Sequence, residues 1–520
     1  MTITTPGFTL TAETVRRLVA VVGDDAVHLE DADRDQYRDP YWYQGDRTYD
    51  SSAVVYPTST EQVQQIVRIA SDAGVPIWTS SQGRNNGYGG PSPRVKGSIL
   101  LSFRRMDKVL EINRELAYAV VEPGVRWFDL VDALEASGNE DLIVSIPDIG
   151  WGSVVGNTLD SGGTYLPYGM DFQAATGMEV VLANGELLRT GMGGVPGNKS
   201  WHLYKRGLGP VLDPLFVQSN YGIVTRMGYW LMRRPEAYAP LYLTIPRGDQ
   251  LEQAVDIIRE LRLSGVLRGV PCFYNIVSLA WQFPELGEYL GGKGALSEEQ
   301  LQELADSSGL GRWGFRAALW GDGPVVEHQL AKITEAWSAL EGSRIVHDRT
   351  FTKDEWGPFE SFTEKVHAGV PTMDMMNAVP DGIGHLAFSP VIPLVGKEVA
   401  EFERLASEFI RENLDENLSA GVIVTNERSL IFICNLSLVL DDEAQVRRAR
   451  DTLKKMVEHF GTLGYGEYRA HIDIMDLASD QFSFGDHSYR RFCEAIKDAV
   501  DPKGILSPGR HGIWPAAYRE

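Results

Sequence analysis

Two hydrophobic periods alternate along this chain, and each marks a different kind of element. Ala53-Val54-Val55-Tyr56 is a short apolar run that stops at Pro57, which predicts a buried strand. From Ser59 the period lengthens: Val63, Ile66, Val67 and Ala70 fall at helical spacing. Ser59 is the expected N-cap, with Gln62 completing a capping box, and Gly74 and Pro76 stop the helix. Further strands are predicted at 77–80, 98–103 and 118–121, and a second helix buries Trp127, Leu130, Val131 and Leu134. Asn184-Gly185, between apolar runs at 178–182 and 186–189, predicts a tight hairpin.

Beyond about residue 240 the texture changes. Longer amphipathic helices carry Leu251, Val255, Ile258 and Leu261, then Val399, Phe402 and Phe409, then Val446, Leu453, Met456 and Val457. Strands such as 430–434 lie between them. The pattern predicts an α+β protein with mixed strand order and a second α+β domain packed over the first.

Size and charge narrow the function classes. The 520 residues suffice for two or three domains. A net charge of −22 argues against nucleic acid or an anionic membrane as partner, since both require clustered Lys and Arg. Cys272, Cys434 and Cys493 are far apart and show no metal or haem spacing. No metal is therefore expected. Residues 1–10 have neither the basic nor the apolar part of a secretory signal, and no apolar run reaches membrane-spanning length. A cytoplasmic location is the expectation.

The candidate chemistry begins with two glycine-rich stretches. Gln82-Gly83-Arg84-Asn85-Asn86-Gly87-Tyr88-Gly89-Gly90 follows a predicted strand, and Pro147-Asp148-Ile149-Gly150-Trp151-Gly152-Ser153-Val154-Val155-Gly156-Asn157 follows about sixty residues later. Such loops present backbone N–H groups that bind phosphate oxygens. Neither fits the dinucleotide GxGxxG pattern or the P-loop.

Seven strings, in order along nearly the whole chain, carry a resemblance: GRNNGYGG (83–90), PDIGWGSVVGNT (147–158), GMEVVLANGELLRTGMGGVPG (177–197), QSNYGIVT (218–225), GHLAFSP (384–390), GYGEYRAH (464–471) and DPKGILSPGRHGIW (501–514). The chain resembles the vanillyl-alcohol oxidase/4-cresol dehydrogenase family of flavoproteins, and within it the bacterial eugenol-oxidase and 4-alkylphenol-oxidase branch. The resemblance implies an FAD-binding domain (1–240), an α/β cap domain (241–465) and a C-terminal segment (466–520) that returns to the FAD domain.

It also implies roles for particular residues. FAD would be held by Gly83, Arg84, Asn85, Asn86, Pro147, Gly152, Ser153, Gly156, Asn157 and Ile223. His385 would bond covalently to the flavin 8α-methyl carbon, and Arg510 would face the pyrimidine edge. Tyr88, Tyr468 and Arg469 would bind a phenolate, and Asp148 would stand beside the benzylic carbon. The implied reaction is hydride transfer from a para-substituted phenol through a quinone methide, with O2 as acceptor and H2O2 as product. Eugenol, 4-ethylphenol and vanillyl alcohol are representative substrates.

Two departures bear on detail. Glu427-Arg428-Ser429-Leu430 replaces a segment that carries a pair of His in relatives, which implies a more apolar far end of the pocket. The short segment 193–201 lacks an insertion of the octameric fungal relative and points to a homodimer. A dehydrogenase passing electrons to a cytochrome or copper protein is the alternative, and a sugar or hydroxy-acid oxidase on the same scaffold a remoter one.

Overall fold

The computed structural model describes residues 3, 7–43, 45–170, 173–280, 283, 286–287, 290 and 294–519. Its first sheet orders Val27–His28, Ala53–Val55, Ile99–Ser102 and Ile77–Ser80 side by side, the last three parallel. These three strands are buried almost throughout, as the unbroken apolar runs require of a parallel sheet covered on both faces. Helix Thr60–Ala73 crosses between two of them; Ser59 Oγ accepts from the Gln62 N–H, and Gly74, at φ 65°, closes it. The other arm of the expected box is displaced by one residue: Gln62 Oε1 accepts from the Thr58 N–H at 2.7 Å.

A second, antiparallel sheet orders Val109–Asn113, Tyr118–Val121, Ile223–Trp230, Ala175–Val181 and Leu187–Arg189. Its last two strands form the expected hairpin, with Val181 opposite Leu187. The C-terminal segment returns to these sheets: Leu506 bridges Ile77 in parallel. Buried Lys497 fixes that return, donating to Asn220 O, Leu506 O and Asp501 Oδ2 at 2.6–2.7 Å.

The third sheet has nine antiparallel strands, the first of them Ala237–Ile245 and the longest Ser429–Val439. Helices Leu251–Leu263, Gly323–Trp337, Gly396–Leu414 and Glu443–Thr462 cover one face through a core that includes Leu243, Phe273, Phe315, Phe388, Phe402, Phe432 and Phe460. Successive strand residues point to opposite faces. Cys272, Tyr274, Arg316, Ile431, Ile433 and His385, each next to a residue of that core, are therefore turned the other way, toward the glycine loops. That alternation builds the site.

Candidate active site

One cavity lies between the two glycine loops. Gly83, Arg84 and Asn85 line one side, Gly152, Ser153, Gly156 and Asn157 the other, and Ile223 its floor. Ser153 is locked by donating to Pro123 O at 2.6 Å and accepting from the Gly156 N–H at 2.9 Å. Asn85 Oδ1 and the Trp127 and Trp151 indole N–H groups are buried without hydrogen-bond partners. Glycine backbone facing a cavity, with orphaned polar atoms beside it, suits the phosphates and polar edges of FAD. Two predicted contacts lie outside this lining: Pro147, and Asn86, whose amide donates to Met376 Sδ at 3.9 Å.

The cavity continues to a charged end formed by Asp160, Arg469 and Arg510. Asp160 caps the short helix Val154–Leu159 and is only 7% exposed. Its Oδ1 accepts from Arg510 Nη2 at 2.7 Å, and Oδ2 lies 3.3 Å from Arg469 Nη2. Burial would raise this carboxyl, but the two guanidiniums hold it well below the usual carboxylate range. Arg469 lies over the Tyr88 ring, 3.9 Å from its centroid, and its Nε is buried without a partner. Burial pushes the Tyr88 hydroxyl well above its ordinary value, with Tyr468 adding to the effect and Arg469 opposing it. Three predicted residues from sequence positions far apart, Tyr88, Tyr468 and Arg469, thus converge. Asp160 was not among the residues expected from sequence.

Asp148 lies outside this lining and is held by Arg316. Arg316 Nη2 donates to Asp148 Oδ1 at 2.7 Å and to Tyr274 Oη at 3.0 Å. Its guanidinium stacks against Tyr165, Phe362 and Tyr274 at 4.6, 4.9 and 5.2 Å from the ring centroids. Burial works against the charge on Arg316, yet Asp148 and the surrounding aromatic hydroxyls hold it firmly protonated. Sequence reasoning missed Arg316. Its signal was available: one cation inside the otherwise uncharged strand Trp313–Gly321.

Running from Tyr165, under Arg316, to Tyr468 is an apolar cluster that also holds Met170, Cys272, Ile423, Ile431 and Ile433. A more apolar far end was expected from the lack of a His pair at 427–430, and those residues are not part of this cluster. Glu427 lies in the turn before strand Ser429–Val439 and pairs with Arg262 at 3.2 Å. The wall comes instead from Ile423, Ile431 and Ile433, which the strand period turns toward the site. Beside the cluster, His367 is fully buried with both ring nitrogens unpartnered; burial, reinforced by Arg316, keeps it neutral.

His385 projects from strand Ile383–Phe388 toward the first glycine loop. Its Nε2 would lie 2.9 Å from a Cβ placed on Gly87, whose φ of +83° also favours glycine. The close approach of ring and loop requires that residue. Burial lowers the basicity of His385, with Asp39 opposing, so the imidazole is neutral near pH 7. Asp39 in turn accepts from His471 Nε2 at 2.8 Å.

Comparison with known proteins identifies first the class and then the family. Residues 51–191 match the FAD binding domain. The chain is 32% identical to the flavoprotein subunit of 4-cresol dehydrogenase (hydroxylating) from Pseudomonas putida, over 96% of this chain and 95% of the relative. It is 31% identical to 1'-carboxy-chondrochloren decarboxylase from Chondromyces crocatus, over 90% and 92%. Among solved structures, 4-ethylphenol oxidase from Gulosibacter chungangensis in complex with isoeugenol superposes with a TM-score of 0.92 at 34% identity, covering 99% of this chain and all of that one. A substrate complex of p-cresol methylhydroxylase gives 0.89 at 31% identity, covering 98% and 99%. The chain belongs to the vanillyl-alcohol oxidase/4-cresol dehydrogenase family of FAD-dependent oxidoreductases.

Proposed function

We propose that this enzyme oxidises para-substituted phenols at the benzylic carbon, with O2 as the final acceptor. The observation that carries the reading is Arg469, whose unpartnered Nε sits against Tyr88 at the edge of an apolar cluster that includes Tyr468. A free phenol has a pKa of about 10. A guanidinium and two tyrosyl hydroxyls around its oxygen favour the phenolate. That charge feeds electron density to the para position and makes the benzylic C–H a hydride donor.

FAD would supply the hydride acceptor; in this reading the two glycine loops would hold its diphosphate, Asn86 and Pro147 would flank it, His385 would bond to the 8α-methyl carbon, and Arg510 would face the pyrimidine edge. The neutral imidazole of His385 beside the first loop supports that attachment, since only an unprotonated nitrogen can form the bond. Asp148, anchored by Arg316, takes the proton from water adding to the quinone methide. Loss of a proton from the next carbon of the side chain gives the vinyl- or propenylphenol instead. The wall of Ile423, Ile431 and Ile433 favours 4-alkyl- and 4-allylphenols, such as 4-ethylphenol, 4-propylguaiacol and eugenol, over the more polar vanillyl alcohol. Residues 241–465 act as the cap over this site. The protein works in the cytoplasm as a homodimer.

A second reading is a dehydrogenase that passes electrons to a redox protein, favoured by the 32% identity to 4-cresol dehydrogenase. Anaerobic addition of 4-ethylphenol, eugenol or vanillyl alcohol separates the two. We expect loss of flavin absorbance, then its return within seconds of aeration with one H2O2 per substrate. A flavin that stays bleached in air until an artificial electron acceptor is added supports the dehydrogenase, and no bleaching by any of the phenols contradicts both. Acid precipitation of the same sample leaves a yellow pellet if His385 is linked; colour wholly in the supernatant removes that assignment.

A further inference from the structure

We propose that Asp160 is a positioning residue that sets the charge of this end of the site to one positive unit, matching the single negative charge that crosses from substrate to cofactor in each turnover. The proposal rests on the phenol-oxidising reading above.

The geometry is a carboxylate shared by two guanidiniums. Arg510 and Arg469 lie 2.7 and 3.3 Å from the two oxygens of Asp160, and His511 Nε2 lies 3.4 Å from Oδ1. Burial lowers the basicity of His511, so it adds no charge near neutrality. Two cations and one anion leave one positive unit. The other titratable groups against the cluster are Tyr88, Tyr468 and Glu467. Burial keeps Tyr88 protonated. Glu467, pushed up to about 8 by burial, points away and accepts from the Ser389 N–H at 3.0–3.1 Å.

The reaction moves one charge between the two guanidiniums. When the benzylic C–H bond breaks, hydrogen leaves with both bonding electrons. The phenolate charge is consumed as its C–O bond becomes the carbonyl of the quinone methide, and one negative unit appears on the cofactor. Before transfer Arg469 answers the substrate charge while Asp160 neutralises Arg510. After transfer Arg510 answers it while Asp160 neutralises Arg469. A site without Asp160 would carry two positive units and hold the phenolate too firmly at the starting end.

The sign of the effect separates this role from simple scaffolding, because loss of an alignment contact would weaken phenolate binding. The test is calorimetric titration of flavin-loaded enzyme with 4-chlorophenol, which has no benzylic hydrogen, across a pH series. Asp160→Asn is expected to bind it about tenfold more tightly near neutral pH and to lower the pKa of the bound phenol by about one unit. Arg510→Gln, which does not touch the phenol, is expected to weaken binding about tenfold. The double variant should return to wild-type affinity, and Asp160→Glu should stay there. Weaker or unchanged binding by Asp160→Asn, or a double variant that stays weak, overturns the proposal. If Asp160→Asn does not fold, unchanged affinity in Arg510→Gln overturns it equally. If the wild-type enzyme itself does not lower the pKa of bound 4-chlorophenol, the phenol-oxidising reading falls first.

Discussion

The two faces of the nine-stranded sheet are built from the same strands and obey different rules. On the helix-covered face, Phe315, Phe388, Phe432 and Leu438 are at most 1% exposed and pack into one apolar core. On the other face, an odd number of residues along in the same strands, stand Arg316, His385, Ile431 and Ile433. The first face contributes burial, at roughly 25 cal/mol for each Å² of apolar surface. The second holds a buried guanidinium and a half-buried imidazole, groups that cost free energy to remove from water unless they are paired. Stability and chemistry are therefore divided by a rotation of one residue.

Substitutions on the two faces should fail in different ways. The largest effect is expected at the phenolate end. Arg469→Ala should lower kcat/KM for 4-ethylphenol on the order of a thousandfold, with little change in Tm; an equal fall in Tm would make Arg469 a structural residue. On the helix face, Phe432→Ala should cost about 3 kcal/mol of stability in denaturant unfolding and leave kcat per bound flavin unchanged. Arg316→Gln should slow anaerobic flavin reduction or quinone-methide hydration on the order of a hundredfold while leaving 4-chlorophenol affinity unaltered. A large loss of affinity there would place Arg316 at the wrong end of the site.

Stability should also depend on pH. Burial raises the Glu467 carboxyl to about 8 from an ordinary 4.5. Between these values the folded chain keeps a proton that the unfolded chain has lost, so stability falls as pH rises through that window and the loss is complete above about 8. Glu467→Gln should match the wild type near pH 4.5 and exceed it in Tm at pH 8. Parallel Tm curves would contradict the assignment.

What could be read in the sequence follows the same division. Helix Thr60–Ala73, with its cap and stop, and the hairpin at Asn184-Gly185 were legible because local periodicity and turn chemistry determine them. That Tyr88 lies beside Tyr468 and Arg469 could be expected only through the resemblance of their strings, since no local pattern brings residues 88 and 468 together. Asp160 and Arg316 escaped for a physical reason: each acts through a partner more than a hundred residues away, and no local period names that partner. Glu427 lies in a hairpin turn and pairs with Arg262, while its neighbours Ile423 and Ile431 pack in the apolar cluster; which of them does so depends on strand pairing that no short string encodes.

The central claim is that the enzyme ionises its substrate's hydroxyl before taking the hydride. Anaerobic mixing of the flavin-loaded protein with 4-ethylphenol and, separately, with its methyl ether tests it most directly. The account predicts rapid bleaching by the phenol and none by the ether, which has no proton to lose. Bleaching by both at similar rates would contradict it.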